Sequence, residues 1–260
     1  MVVNKMDKRF AALLAGTAIT STVYLAVTAS HSATVMQAAR APRPKGVLPV
    51  IGPYSVVMPT LNEAGNIRQA LDSLFNQSIQ PDEIIIVDSN SQDGTVQIAQ
   101  SYPRVRVNSI PQVGNVGVAR DSGVKLARNE IIMAMDADTI WGWNVAEETL
   151  LDLIEGGYDI VHAPGITKNL AANALYYAAY SPRKPAWRID GRHIATTKTV
   201  LARLGGFHGP TCETYAIGIE AARQGLRVLS RPDLPVIHEL NLNRQRRAPL
   251  CEYHPFKKVV

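Results

Sequence analysis

Cysteine is nearly absent: of 260 residues only Cys212 and Cys251 carry a thiol. Two are too few for a framework of bridges, and no Cys-x-x-Cys pair offers zinc or redox chemistry, so a reducing compartment is slightly favoured. Charge is missing altogether between Arg9 and Arg40, where no Asp, Glu, Lys or Arg occurs. Internal repeats and low-complexity tracts are lacking too, which excludes solenoids and compositionally biased chains. Basic excess is absent from the middle of the chain. The formal net charge is +5, but the segment between Pro53 and Asn241 holds sixteen Lys/Arg against twenty Asp/Glu; the excess sits at the ends, six against one up to Pro53 and five against one from Asn241. A mildly acidic body argues against a nucleic-acid partner, which wants a basic stripe across the fold. Basic ends beside an apolar run suit an anionic lipid surface.

What is present describes one folded domain with appendages. A hydrophobic share of 46% and a charged share of 19% fit a globular chain, and this length buries one substantial core. Residues 1–39 form a tail whose apolar run, Phe10 to Ala29, is long enough to span a membrane, since about 20 apolar residues cross the hydrocarbon. Thr17, Thr20, Ser21, Thr22 and Thr28 weaken it. A single-pass anchor, a cleaved secretory signal ending near Val27-Thr28-Ala29 and an in-plane interfacial helix stay open, and the anchor is the expectation carried forward. Lys5, Lys8 and Arg9 on one side nearly balance Arg40, Arg43 and Lys45 on the other, so the positive-inside rule sets no orientation. Residues 40–53 contain Ala41-Pro42-Arg43-Pro44-Lys45-Gly46, a stiff linker because proline fixes φ. Residues 54–240 form the domain, and 241–260 a basic tail.

Within the domain, short β-rich runs alternate with amphipathic stretches, which predicts an α/β fold with a mostly parallel central sheet flanked by helices. Tyr54 to Met58 reads as the first strand, ended by Pro59. Asn66 to Phe75 has helical spacing, and Glu83 to Asp88 is a continuous apolar strand of the kind buried on both faces. Asp93 or Ser91 is the expected cap of the next helix. Val105 to Asn108, Val116 to Ala127 and Glu130 to Met135 continue as strand, helix and strand. Beyond Trp143 the pattern loosens: helix over Val145 to Glu155, strand over Asp159 to His162, helix over Leu170 to Tyr180, then a long loop from Ser181 to Arg188. Lys198 to Leu204 is read as a helix stopped by Gly205-Gly206, and Thr214 to Gln224 as a helix ending at Gly225. Short strands follow at Arg227 to Leu229 and Val236 to His238.

Asp136-Ala137-Asp138 closes an apolar strand. In open α/β sheets ligands bind beyond the carboxyl ends of strands, and two carboxylates there can hold Mg²⁺ or Mn²⁺, which in turn holds a diphosphate. The alternative is that Asp138 caps the turn into Trp141-Gly142-Trp143. Thr60, Asn62 and Glu63 turn over the edge of the first strand, where a base and ribose can be hydrogen-bonded. Asp88 ends a strand with no cation near it in sequence and needs donors if buried: a base N–H or the cap of the next helix. Arg120 is suited to a diphosphate or to a sheet-edge carboxylate.

Five pieces occur in order: Val57-Met58-Pro59-Thr60-Leu61-Asn62-Glu63, Ile86 to Thr95 around Asp88 and Asp93-Gly94, Gly117-Val118-Ala119-Arg120-Asp121-Ser122-Gly123, Asp136-Ala137-Asp138, and Leu204-Gly205-Gly206-Phe207 followed by Glu213. On these the domain resembles the family 2 glycosyltransferases, which have the glycosyltransferase A fold. The resemblance implies an inverting, metal-dependent transfer from a nucleotide-diphosphate sugar. It places Pro59, Thr60, Asn62, Glu63, Asp88, Arg120 and Asp136 at the donor, Asp138, Asp136 and His238 at a Mg or Mn ion, and Glu213 as the base. Family members commonly carry Glu-Asp where this chain has Glu213-Thr214, so a single carboxylate stands for the pair. The acceptor expected beside an anchor is lipid-linked or a glycan or protein at the membrane, with the domain facing the cytoplasm, where sugar nucleotides are made. Two rivals are a tethered nucleotide-sugar binder that has lost catalysis and a sugar nucleotidyltransferase. The latter wants a Gly-, Arg- and Lys-bearing loop after the first strand, where Pro59 to Asn66 offers only Gly65.

Overall fold

Runs without a polar break become the centre of the sheet. In the computed structural model, which describes residues 52–111, 116–166, 189, 191–207 and 213–238, Glu83–Asp88 (β2) is buried at every position. It lies between Tyr54–Thr60 (β1) and Val105–Ser109 (β3), parallel to both. On the other side of β1, Ile131–Met135 (β4) is parallel as well. Next to β4 comes His193–Thr197 (β7), antiparallel to it, then Ile160–His162 (β6) and Val228–Ser230 (β8). The order is β3-β2-β1-β4-β7-β6-β8, and Thr139–Trp141 (β5) pairs with Val236–His238 (β9) in a small second sheet. The mostly parallel α/β expectation is met, with β7 as the reversed strand.

Alternation along the strands builds a core on each face. Val56, Met58, Ile84 and Ile86 pack with helices Ile67–Phe75 (α1) and Val145–Ile154 (α4). Val57, Ile85 and Val87 pack on the opposite face with Val116–Leu126 (α3), Lys198–Leu204 (α5) and Glu213–Arg223 (α6). A short helix, Thr95–Gln100 (α2), joins β2 to β3. Gly123 lets α3 lie against the sheet: a methyl group there would come within 2.4 Å of Val57 Cγ1.

Three details differ from the sequence reading. β1 runs through Pro59 to Thr60 on the β2 side, while its pairing with β4 stops at Val57; a proline is tolerated where the ladder has ended. α2 takes Gly94, at φ 90°, as its N-cap. Asp93, one residue earlier, still accepts from Thr95 N at 3.1 Å. β5 and β7 were not foreseen. β7, His-Ile-Ala-Thr-Thr, looks too polar for an interior strand, yet its threonine hydroxyls find partners: Thr196 Oγ1 donates to Asp159 O at 2.7 Å and Thr197 Oγ1 accepts from Val200 N at 3.1 Å.

His193 is the costliest of these groups. It is fully buried, lies edge-on to Trp141 with ring centroids 4.6 Å apart, and its Nε2 is 2.9 Å from Thr149 Oγ1. Burial, with His162 and Arg231 adding to it, lowers its pKa to about 3. The folded imidazole therefore stays neutral while an unfolded one protonates below its ordinary value near 6.5. Its stabilising contribution is complete above that pH and is lost as pH falls toward 3, about 2 kcal/mol being gone by pH 5. Urea unfolding of the wild type is expected to weaken by that amount between pH 7.5 and pH 5, and a His193→Gln variant to lose that part of the slope. Parallel pH profiles for the two proteins would contradict the assignment.

The apolar run and linker, both cysteines, the expected helix with Tyr176, Tyr177 and Tyr180, the loop to Arg188 and the basic tail lie outside the described residues. Among the described residues no helix is long and apolar enough to cross a membrane.

Candidate active site at the carboxyl edge of the sheet

The ends of β1, β2 and β4 bring the expected residues to one edge. Thr60 pairs with Asp88 across β1 and β2. Continuing the β1–β4 register from Val57 and Ala134 sets Pro59 level with Asp136. Two groups of polar side chains thus flank Pro59 and Thr60, Asp88 on one side and Asp136 on the other, about two strand spacings or roughly 10 Å apart along the edge.

The first group is a hydrogen-bonded latch. Asp88, 1% exposed, accepts from Thr60 Oγ1 at 2.9 Å, from Ser91 N at 2.9 Å and from Ser91 Oγ at 2.5 Å. Ser91 Oγ in turn accepts from Asn62 N at 2.8 Å, and Asn62 Oδ1 accepts from Gln92 N at 2.9 Å. Glu63 N donates to Thr95 Oγ1 at 2.8 Å, and Ala64 N to Asp93 Oδ2 at 3.0 Å. Burial alone would raise the Asp93 carboxyl, but bonds from Thr95 and Ala64 outweigh it and hold its pKa below the usual range. Asn62 and Asn90 adopt φ of 55° and 65°, a region asparagine tolerates better than most residues. Asp88 therefore organises the turn at Ser91 and does not cap α2, which Asp93 serves. Three donors leave one of its roughly four acceptor directions for a base N–H.

The second group is built of opposite charges. Asp136 Oδ1 meets Arg120 Nη2 at 2.5 Å, and the same Nη2 donates to Gly191 O at 3.0 Å. Arg120 is 2% exposed and lies over the ring of buried Phe207 at 5.8 Å. Arg120 thus meets a sheet-edge carboxylate, one of the two partners the sequence allowed it. Asp136 sits in a recess with its side chain still 30% exposed. Burial raises its pKa, Arg120 draws it down, Asp138 raises it and Arg192 and His238 draw it down, for a net position above the ordinary carboxylate value.

Asp138 Oδ2 lies 3.1 Å from His238 Nε2, because β5 and β9 pair Thr139 with His238. The metal set expected from sequence was Asp136, Asp138 and His238. With one Asp136 oxygen taken by Arg120, the structure joins two of the three, and among the described residues no three His, Cys, Asp or Glu side chains form a ready cage. A carboxylate with an imidazole beside it at a partly open edge still fits Mg²⁺ or Mn²⁺. Such ions commonly take one or two carboxylates and complete their shell with phosphate and water.

Glu213 is the first residue of α6. A methyl group placed on Gly191 would lie 3.0 Å from Arg120 Nη2 and 3.1 Å from Thr214 Cγ2, so the start of α6 abuts the segment that Arg120 holds. Gly205 and Gly206, at φ 81° and 87°, turn the chain after α5, and Phe207 N donates to Asp121 Oδ1 at 2.7 Å. Ser91 was read only as a helix cap and Asp121 only as part of a motif, while Gly191 and Arg192 were missed. Ser91 three residues after Asp88 and Asp121 next to Arg120 were usable signals; Gly191 and Arg192 depend on pairings that sequence spacing does not reveal.

Against known proteins, the model of the family described as Glycosyl transferase family 2 matches residues 55–202. Similar curated proteins include a poly(ribitol-phosphate) beta-glucosyltransferase from Bacillus spizizenii, 28% identical over 45% of this chain and 20% of its own length. Another is the glycosyltransferase AglE of Haloferax volcanii, 26% identical over 57% of this chain and 52% of its own. The chain thus spans from about a fifth to about half of these relatives. Among solved structures, a mannosyltransferase from Pyrobaculum calidifontis in complex with GDP-Man and Mn²⁺ aligns with TM-score 0.57 at 24% identity, covering 85% of this chain and 68% of that one. The Staphylococcus aureus TarS fragment in complex with UDP aligns with TM-score 0.58 at 18% identity, covering 73% and 61%. At these identities the structures speak for the fold.

Proposed function

The chain belongs to glycosyl transferase family 2, and from that premise we propose that it moves a sugar from a nucleotide-diphosphate donor to an acceptor hydroxyl with inversion, using Mg or Mn. The observation that carries this reading is the shared edge: a latch of hydroxyls, amides and a carboxylate beside a cluster of carboxylates, arginines and a histidine. The nucleoside lies over the Thr60, Asn62, Glu63 and Asp88 side, and the diphosphate over Asp136 and Asp138. Glu213 takes the acceptor's proton as its oxygen bonds to the anomeric carbon and the bond from that carbon to the diphosphate breaks. Asp138 and His238 would hold the divalent ion, which when bound would supply positive charge against the departing diphosphate. Arg120 holds Asp136 and Gly191 in place from beneath.

Similar proteins described with GDP-Man and Mn²⁺, with UDP, and with poly(ribitol-phosphate) in their names support a nucleotide-sugar donor and a polymer acceptor. The uncharged stretch between Arg9 and Arg40 supports placing that acceptor at a membrane, with the domain on the side where donors are made. A panel of UDP- and GDP-sugars, each with Mn²⁺ or with chelator, is expected to give one metal-dependent thermal stabilisation. Ligand at 100 times its Kd adds about 2.7 kcal/mol. No shift with any donor would count against the reading.

A further inference from the structure

A donor diphosphate at this edge would present negative charge, and the sequence offered Arg120 to meet it. Arg120 is buried and engaged by Asp136, Gly191 and Phe207. A second arginine, Arg192, immediately precedes β7. The β4–β7 register pairs Met135 with His193, so the next step out sets Arg192 opposite Asp136. A methyl group on Gly165 would lie 2.4 Å from Arg192 Cδ and 3.4 Å from His238 Cβ. The stem of Arg192 therefore runs over a glycine beside the histidine that holds Asp138. Arg192 is half-buried where Arg120 is enclosed. Strand register and glycine contact together place it at the Asp136–Asp138 edge.

Resting on the donor reading above, we propose that Arg192 is the side chain that receives the donor's diphosphate, with Arg120 acting as the positioning residue beneath. A planar guanidinium presents paired donors matched to phosphate oxygens.

The test titrates UDP, GDP, uridine and guanosine into the full chain, with chelator and separately with Mn²⁺, for wild type, Arg192→Met and Arg192→Lys. The methionine variant is expected to bind the preferred nucleoside diphosphate about 10- to 100-fold more weakly even with chelator, and the lysine variant to recover part of that loss. Affinity for the bare nucleoside and the melting temperature should stay at wild-type values, which a merely structural role would not allow. A methionine variant that binds UDP and GDP like wild type overturns the assignment while leaving the donor reading standing. A wild-type chain that binds neither overturns the donor reading and this assignment together.

Discussion

Glu213→Gln is expected to keep nucleoside diphosphate affinity at the wild-type value and to lower turnover by about 10² to 10⁴. The size follows from what surrounds the residue in the fold. α6 begins at Glu213, Thr214 packs against Gly191, and Gly191 is tied through Arg120 to Asp136. The turn that precedes is anchored by Phe207 on Asp121. The start of α6 is thus located relative to the acidic edge by side chains that have few alternatives. The residue beside it is Thr214, which offers no second carboxylate to take the proton when glutamine is installed. Steady-state transfer measured beside calorimetric binding decides the matter. Wild-type turnover in the variant would remove Glu213 from the mechanism, and a parallel loss of nucleotide affinity would make it a binding residue instead.

The contrast between the two arginines shows what the sequence made legible and what it did not. Glu83–Asp88 could be read as a buried strand because its apolar run has no break, and the boundaries agree with the structure. Asp136 and Asp138 were legible for the same reason, since the apolar run before them ends at a sheet edge. Pairing partners were not legible. Arg120 belongs to a motif and Arg192 to none, yet the antiparallel placement of β7 beside β4 sets Arg192 opposite Asp136, the carboxylate that Arg120 already holds. β7 itself escaped notice because His193, Thr196 and Thr197 look like loop residues until Thr149 meets His193 Nε2 and Asp159 and Val200 pair with the two hydroxyls. Asp88 illustrates a related difficulty. Its position was read correctly, but Ser91, three residues on and outside any helix, supplies two of its three donors. Local patterns report burial and breaks, whereas the identity of a buried charge's partner is decided by register between distant segments.

Asp138→Asn is expected to lower turnover by about 10² to 10³ and to abolish the extra nucleotide affinity that Mn²⁺ confers, while leaving the fold near wild-type stability. Asp138 is the informative member of the pair because Asp136 carries a structural duty. Removing the Asp136 charge would strand Arg120, 2% exposed, and loss of one partner of a buried ion pair costs about 3–5 kcal/mol. Activity lost in an Asp136→Asn variant would therefore mix chemistry with unfolding. Asp138 faces His238 at 3.1 Å with its side chain 18% exposed. Asparagine keeps its size and a hydrogen bond to the imidazole while giving up the negative charge a cation requires. Manganese binding followed by electron paramagnetic resonance separates loss of the ion from loss of catalysis, and urea unfolding checks the fold. An Asp138→Asn protein that binds Mn²⁺ and turns over like wild type would move the cation away from the Asp138–His238 pair and leave Asp136 with Arg120 as a purely structural couple.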